Sequence, residues 1–288
     1  KSLGTIQLFL GVSYNYKQVT GELSMNVAQY ITAQINSLEQ KLGKQIILRR
    51  TPMYSEFLAN VPRYKKSKPV DMTEYAVIQG ILTYVAQYRL DIAVAVNIVA
   101  QYSHQPTEDF VEAQYHILGY LSRTRNLEIH LGTQPKQPLT TFVDSDHAAR
   151  RIEPLTEENG KAIGIHPHSR RSRTGAIWFY RGGCVANLTK QQSLPTDSST
   201  YAEVVAAHDQ LKMTLYLRKL ITELERPSGE LPPTNVFIDN LACIRILTSE
   251  RITLKNSKHF ETRFMFIKHY LGTAIHIHHV RTNQNLAD

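Results

Sequence analysis

The chain has 288 residues, 42% of them hydrophobic, which is enough to bury one or two cores, and it reads as soluble and globular. A formal charge of +8 and a pI near 9.4 favour a polyanionic partner, nucleic acid ahead of an anionic membrane, because clustered Lys and Arg release counterions condensed on phosphates; a basic but merely solvated surface is the other reading. Only Cys184 and Cys243 are present, without CxxC or Cys/His spacing, which speaks against a disulfide framework or a zinc site and fits a reducing, intracellular compartment. No apolar run approaches the ~20 residues that span a bilayer, no signal-peptide pattern opens the chain, and a start at Lys1 with a stop at Asp288 reads as a piece of a longer polypeptide.

Residues 5–25 alternate through Ile6, Leu8, Leu10, Val12 and Tyr14, then turn at Gly21 into a second strand, Leu23 to Met25, which predicts a β-hairpin. Residues 27–42 have helical spacing, with Gly43 as the stop. A loop with Pro52, Pro62 and Pro69 follows, then three helix-period segments: Met72–Tyr88, Asp91–Tyr102 and Thr107–Arg123, with Thr107 as N-cap. After Asn126 the pattern changes: 127–131, 139–144, 175–180 and 184–188 read as strands, the last two joined by a turn at Gly182-Gly183, while 151–168 reads as an inserted loop. A long helix is predicted over Ser199–Glu225, its apolar stripe holding Val204, Ala207, Leu211, Leu215 and Leu220. Strand Asn235–Ile238, helices Leu241–Leu247 and His259–Leu271, and strand Ala274–Val280 complete an α/β layer.

Four carboxylates sit where that layer can gather them. Asp144 and Asp239 each end an apolar strand (TFVD, VFID), Glu203 lies in the first turns of the long helix, and Asp288 follows the last strand. Singly they have ordinary readings, as a strand-end turn residue, an N-cap, a solvated helix residue and a terminal residue. Together, hard oxygen ligands suit Mg²⁺, and a carboxylate cluster without a cation is repulsive. Two ions roughly 4 Å apart can serve phosphodiester hydrolysis.

Phe142-Val143-Asp144-Ser145-Asp146 resembles the Asp-Ser/Ala-Asp strand end of the ribonuclease H domain of copia-type LTR retrotransposons. Arg171-Ser172-Arg173-Thr174-Gly175, Lys190-Gln191-Gln192 and Ser198-Ser199-Thr200-Tyr201-Ala202-Glu203 are similar to its hairpin, Lys-Gln and helix-start blocks, in that order. Ile238-Asp239-Asn240, Ser257-Lys258-His259, and Thr282, Gln284, Ala287 and Asp288 resemble its Asp-Asn, Lys-His and Thr-x-x-Gln-x-Ala-Asp blocks, with Asn285 or Leu286 read as an extra residue. Leu3-Gly4, Phe9-Leu10-Gly11, Thr51-Pro52, Leu90-Asp91-Ile92-Ala93 and Ile117-Leu118 resemble the stretch that joins the family's reverse transcriptase palm to that domain. Departures include Tyr201 for the first Glu of Glu-Ala-Glu, Asn187 for a Trp, Leu90 for a Pro and a longer 151–168 loop; the helix usual after the last Asp is absent, as is the polymerase Tyr-x-Asp-Asp turn.

The resemblance implies an α/β fold with a ribonuclease H-like mixed sheet flanked by helices (126–288), preceded by a mostly helical palm remnant and thumb or connection with a β-hairpin (1–125). It implies Mg²⁺-dependent cleavage of the RNA strand of RNA–DNA hybrids, with Asp144, Glu203, Asp239 and Asp288 as catalytic metal ligands for two ions, Mn²⁺ being able to substitute, and with Asp146 beyond the metals. The implied partners are the hybrid and the upstream palm of the same polyprotein, with no membrane, in the cytoplasm, a virus-like particle or the nucleus.

Arg171, Arg173, Lys190, Lys258 and His259 are the expected nucleic-acid contacts. Arg171 and Arg173 belong to a basic stretch with Arg150, Arg151, Lys161, Arg170 and Arg181 that faces only Glu153, Glu157 and Glu158; a solvated loop is its plainer explanation. His276 and His278 share a strand face that could bind a transition metal, though such pairs usually meet solvent or backbone, and His279 is a weak candidate for a proton shuttle near Asp288, since the family the chain resembles usually has Thr in that place, matched here by Thr282. Tyr75, Tyr84, Tyr88, Tyr102, Tyr115 and Tyr120 have the helical spacing of core residues. Two rival functions stand beside the nuclease: a non-catalytic nucleic-acid-binding remnant of a decayed or domesticated element, and a polyprotein segment active only when joined to its palm.

Overall fold

The computed structural model describes residues 4, 6–43, 45–134, 136–146, 154–156, 162–165, 171–193, 196, 198–227, 229–249 and 258–288. They fall into two compact units, 1–133 and 134–288.

The first unit opens with β1 (Leu8–Phe9), β2 (Val12–Lys17) and β3 (Glu22–Asn26), an antiparallel meander. The alternating run expected as one strand is split because Leu10 and Gly11 both take positive φ, at 49° and 78°, folding β1 back on β2. Helix α1 (Ala28–Leu42) ends at Gly43 in the left-handed conformation, as predicted. The proline-bearing segment read as loop contains α2 (Phe57–Tyr64), whose Phe57, Val61 and Tyr64 are buried at i, i+4 and i+7. Helices α3 (Met72–Val85), α4 (Ala93–Ala100) and α5 (Glu108–Arg123) follow, with a 3₁₀ turn over Leu90–Ile92. Thr107 occupies the N-cap of α5, yet its hydroxyl donates to the Tyr64 carbonyl at 2.7 Å and caps nothing.

Strand β4 (Ile129–Leu131) pairs with β3 and so belongs to the first unit, where the sequence pattern had placed residues 127–131 after the change of character. Tyr75 and Tyr102 are buried in this unit's core, and Tyr84, Tyr88, Tyr115 and Tyr120 pack against it, so the tyrosines at helical spacing are core residues.

In the second unit, β5 (Thr140–Asp146), the short pair β6 (Pro154–Thr156) and β7 (Ala162–Ile165), β8 (Arg173–Tyr180) and β9 (Gly183–Gln191) precede α6 (Ser199–Glu225); then come β10 (Thr234–Ile238), α7 (Leu241–Thr248), α8 (Lys258–Tyr270) and β11 (Ile275–His279). The inserted loop thus holds two paired strands, and its remainder lies outside the described residues. Among the described residues five strands form a mixed sheet in the order β11-β10-β5-β8-β9, with β10 parallel to β5 and β11, and β8 antiparallel to its neighbours. The β8–β9 turn is made by Arg181 and Gly182, both at positive φ, one residue earlier than the Gly-Gly reading.

Val143, Ala176, Trp178, Val236, Ile238 and Ile275 are buried in one core with Val204, Ala207 and Leu211 of α6 and Phe264 and Ile267 of α8. Along α6 the apolar stripe continues through Leu217 and Ile221; Leu215 packs at its margin and Leu220 is exposed, because 3.6 residues per turn carry the buried face past Leu220. Trp178 donates Nε1–H to Thr214 Oγ1 at 2.8 Å, and Thr214 passes its own proton to Gln210 Oε1 at 2.8 Å, which satisfies the polar edge of the largest buried side chain. The mixed sheet flanked by helices is the fold class expected.

Candidate metal centre

Parallel pairing of β5 and β10 sets Val143 opposite Ile238, and each is followed by an aspartate, Asp144 and Asp239, at the same rim of the sheet. Asp239 is not the cap of α7: that position belongs to Asn240, whose Oδ1 accepts from Cys243 N at 3.0 Å. Glu203 arrives from α6, whose first turn is fixed by Ser198 Oγ accepting from Tyr201 N at 3.2 Å. Packing of α6 on the sheet leaves Glu203 4% exposed, with Oε1 accepting from Ser145 N at 3.2 Å. One carboxylate oxygen from each of Asp144, Glu203 and Asp239 lies within 4.8 Å of the other two.

These groups repel one another in a partly desolvated place. Burial first, then the charges of Asp239 and Asp288, push the Asp144 carboxyl up to about 6. Burial, then Asp144 and Asp239, push Glu203 up to about 9. Glu203 Oε2 is buried with no hydrogen-bond partner. An oxygen-only donor set with one orphaned, buried oxygen fits a hard divalent cation, which would supply the missing partner and relieve the repulsion.

The cluster opens into a cleft of about 430 Å³ lined by Asp144, Ser145, Asp146, Glu203, Asp239, Asn240, Thr282 and Asp288. The fourth predicted acid therefore faces the same cleft, but from its exposed edge and outside the group of three whose oxygens converge. Thr282 lines this cleft and His279 does not. His276 and His278 do share an exposed strand face, with ring centroids 6.4 Å apart, and His278 Nε2 engages Asn235 Oδ1 at 3.0 Å.

Among the expected nucleic-acid contacts, Arg173 opens β8 opposite Asp146, and Arg171 is half-buried just before it. Lys190, on β9, is 57% exposed and holds its Nζ 3.7 Å from Asp209 Oδ2 of α6. The side chains of Lys258 and His259, and Arg150, Arg151, Lys161 and Arg170 altogether, lie outside the described residues.

Two amides that sequence reasoning gave no role hold the site together. Gln192, 2% exposed, shares the two N–H groups of Nε2 among Ser145 Oγ at 3.2 Å, Thr174 Oγ1 at 3.2 Å and Ala202 O at 2.9 Å, so one side chain ties β5, β8 and α6 around the acids. Asn285, 6% exposed, donates to Val143 O at 3.0 Å. Counted from Thr282, the block Thr-x-x-Gln-x-Ala-Asp puts its Gln on Asn285, so the chain carries an amide exchange there and not the extra residue inferred from Gln284. The count from Thr282 was the signal available in the sequence.

Over nearly its whole length the chain is similar to the Pol polyproteins of copia-type retrotransposons. It is 28% identical over 286 residues to the retrovirus-related Pol polyprotein from transposon RE1 of Arabidopsis thaliana, a match covering 98% of this chain and 18% of that one. Against the counterpart from transposon TNT 1-94 of Nicotiana tabacum it is 24% identical over 298 residues, 100% of this chain and 20% of the other. The transposon Ty1-JR2 Gag-Pol polyprotein of Saccharomyces cerevisiae matches 73% of the chain, at 24% identity, with 11% of its own length. The chain thus spans a fifth or less of these curated relatives. No protein-family model matches it. Solved structures similar to it include RNase H1 from the halophilic archaeon Halobacterium salinarum NRC-1, with 15% identity over 52% of this chain and 91% of that one and a TM-score of 0.33. Another is LC11-RNase H1 in complex with an RNA/DNA hybrid, at 12% identity over 51% and 88%, with a TM-score of 0.34.

Proposed function

We propose that residues 134–288 cleave the RNA strand of RNA–DNA hybrids with the help of divalent metal, Mg²⁺ by preference, as one part of a longer reverse transcriptase polyprotein. The observation that carries the reading is the convergence of Asp144, Glu203 and Asp239 within 4.8 Å, with one buried Glu203 oxygen left without a partner. The ordered motif resemblance and the Pol polyprotein relatives support it.

Asp144, Glu203 and Asp239 would hold the metal, and Asp288 would join them from the edge of the cleft for a second ion. Bound divalent ions supply positive charge at a phosphodiester and acidify water. Asp144 and Asp239 would fix that charge at the sheet rim, while the Ser145 amide orients Glu203 through Oε1 and leaves the buried Oε2 without a hydrogen-bond partner. Hydrolysis adds water across the P–O3′ bond and leaves a 5′ phosphate and a 3′ hydroxyl. Contacts to the 2′-OH restrict cutting to RNA. Arg171, Arg173, Lys190, Lys258 and His259 are placed by this reading on backbone phosphates and sugars. Residues 1–133 are read as palm remnant and thumb or connection, and the partner proposed for them is the reverse transcriptase palm of the same polyprotein. No described helix is long and apolar enough to cross a membrane, and the setting proposed is the cytoplasm, virus-like particle or nucleus.

A labelled hybrid incubated with Mg²⁺ and with EDTA tests the reading. Cleavage in Mg²⁺ alone is expected, and Asp144→Asn or Asp239→Asn should lower it by about 10³-fold or more, the several kcal/mol that metal charge supplies, with hybrid binding nearly intact. Salt-sensitive binding with no metal-dependent turnover would instead establish the non-catalytic module.

A further inference from the structure

The geometry points to Asn285 as a positioning residue that sets where Asp288 stands relative to Asp144. Asp288 is carried by no strand or helix. It stands in a turn in which Gln284 N donates to Arg281 O at 2.8 Å, Asn285 N to Thr282 O at 3.0 Å and Asp288 N to Asn285 O at 3.3 Å. Such a turn is local and fixes nothing beyond itself. Its attachment to the sheet is the Asn285 side chain: Nδ2–H donates to the carbonyl of Val143, the residue just before Asp144 and the last one at which β5 pairs with β10. Asn285 Oδ1 accepts from Ala287 N at 3.2 Å, so the same amide grips the turn on one side and the strand on the other.

A second contact shows that the seat is shaped for this turn. Gly175 of β8 lies opposite Asp144, and a β-carbon there would come within 2.8 Å of the Ala287 carbonyl oxygen. That distance is below any ordinary contact, and the clashing atom is backbone, so the turn rests on a strand kept bare of side chain. Leu286, between the two anchors, points outward and is 57% exposed, as a residue with no part in the docking should. Among the described residues three acids are thus placed by sheet and helix, and the fourth by the Asn285 amide and the seat on Gly175. Through this amide the separation of Asp288 from Asp144 is tied to the backbone of the very strand that carries Asp144.

The inference rests on the metal-site reading, and its test separates the two. Hydrogen–deuterium exchange on metal-free protein reads the clip alone: Asn285→Ala should raise exchange of the amides in 282–288 by about tenfold or more, while Leu286→Ala changes nothing. Mn²⁺ titration of the same proteins should show one binding event weakened about tenfold to hundredfold in Asn285→Ala, the range for loss of a group that orients a ligand, with the other event unchanged. Asn285→Gln, which restores an amide one methylene longer, should recover part of both effects, and Asn285→Ser serves in place of Asn285→Ala if that variant does not fold. Parental exchange and parental Mn²⁺ binding in Asn285→Ala would overturn the proposal. Faster exchange in that variant, with no Mn²⁺ bound by the parent, would keep the clip and overturn the nuclease reading.

Discussion

Each unit buries an ionisable side chain almost completely, and the two are treated in opposite ways. Arg89 of the first unit, 3% exposed, is paired at each end of its guanidinium: Nε and Nη2 donate to the two Asp91 oxygens at 2.9 and 2.7 Å, and Nη1 to Thr124 O at 2.8 Å. Tyr120 OH donates to the same Asp91 carboxylate at 2.7 Å, and although burial alone would raise it, these bonds hold the Asp91 carboxyl below its usual range. Glu203 of the second unit, 4% exposed, has one backbone partner, one orphaned oxygen and two more acids for neighbours. A buried charge with a complete set of partners is architecture. One without them fits the bound cation proposed for this site.

The largest effect expected from this contrast is on the first unit. Arg89→Ala removes the partner of a largely buried carboxylate and should cost about 3–5 kcal/mol in denaturant unfolding. A loss below 1 kcal/mol would show that the pair is not what holds the Leu90–Ile92 turn to the end of α5. Glu203→Gln should do the reverse to metal-free protein. Because its folded-state pKa lies near 9, above the ordinary carboxylate value of 4.5, the folded state binds the extra proton. The contribution of Glu203 to stability is therefore full below about pH 4.5 and declines as pH rises toward 9. Glu203→Gln should flatten that decline and gain on the order of 2 kcal/mol at neutral pH. Thermal melts across the range, with and without Mg²⁺, read it; an unchanged slope would mean that Glu203 is not under the strain inferred. A comparable change sharpens the rule on the satisfied side within the second unit: Thr214→Val strands Trp178 Nε1 and should cost about 1–3 kcal/mol by denaturant titration, without altering metal binding.

Much of the site could be read before the fold was known, since the strands TFVD and VFID each combine an apolar run with a terminal aspartate, and Ser198 marks the start of α6. These signals are local, and local signals survive tertiary context. Pairing is not local: three residues, Ile129–Leu131, cannot reveal that β3 is their partner. The fold of β1 onto β2 depends on Leu10 adopting a conformation its residue type avoids, and α2 lies in a segment whose prolines argue for loop. Asn285 escaped notice for a related reason, because the value of an amide lies in a carbonyl 142 residues away.

The parallel pairing of β5 with β10 has a consequence for how such a chain can vary. Asp144 and Asp239 each come one residue after the matched pair Val143 and Ile238, so their separation is metered by the strand repeat of about 4.8 Å and not by any connecting segment. Insertions such as the one between β5 and β8 can lengthen, shorten or change composition while that gauge stays constant. The chemistry is thereby insulated from the part of the polypeptide most free to drift.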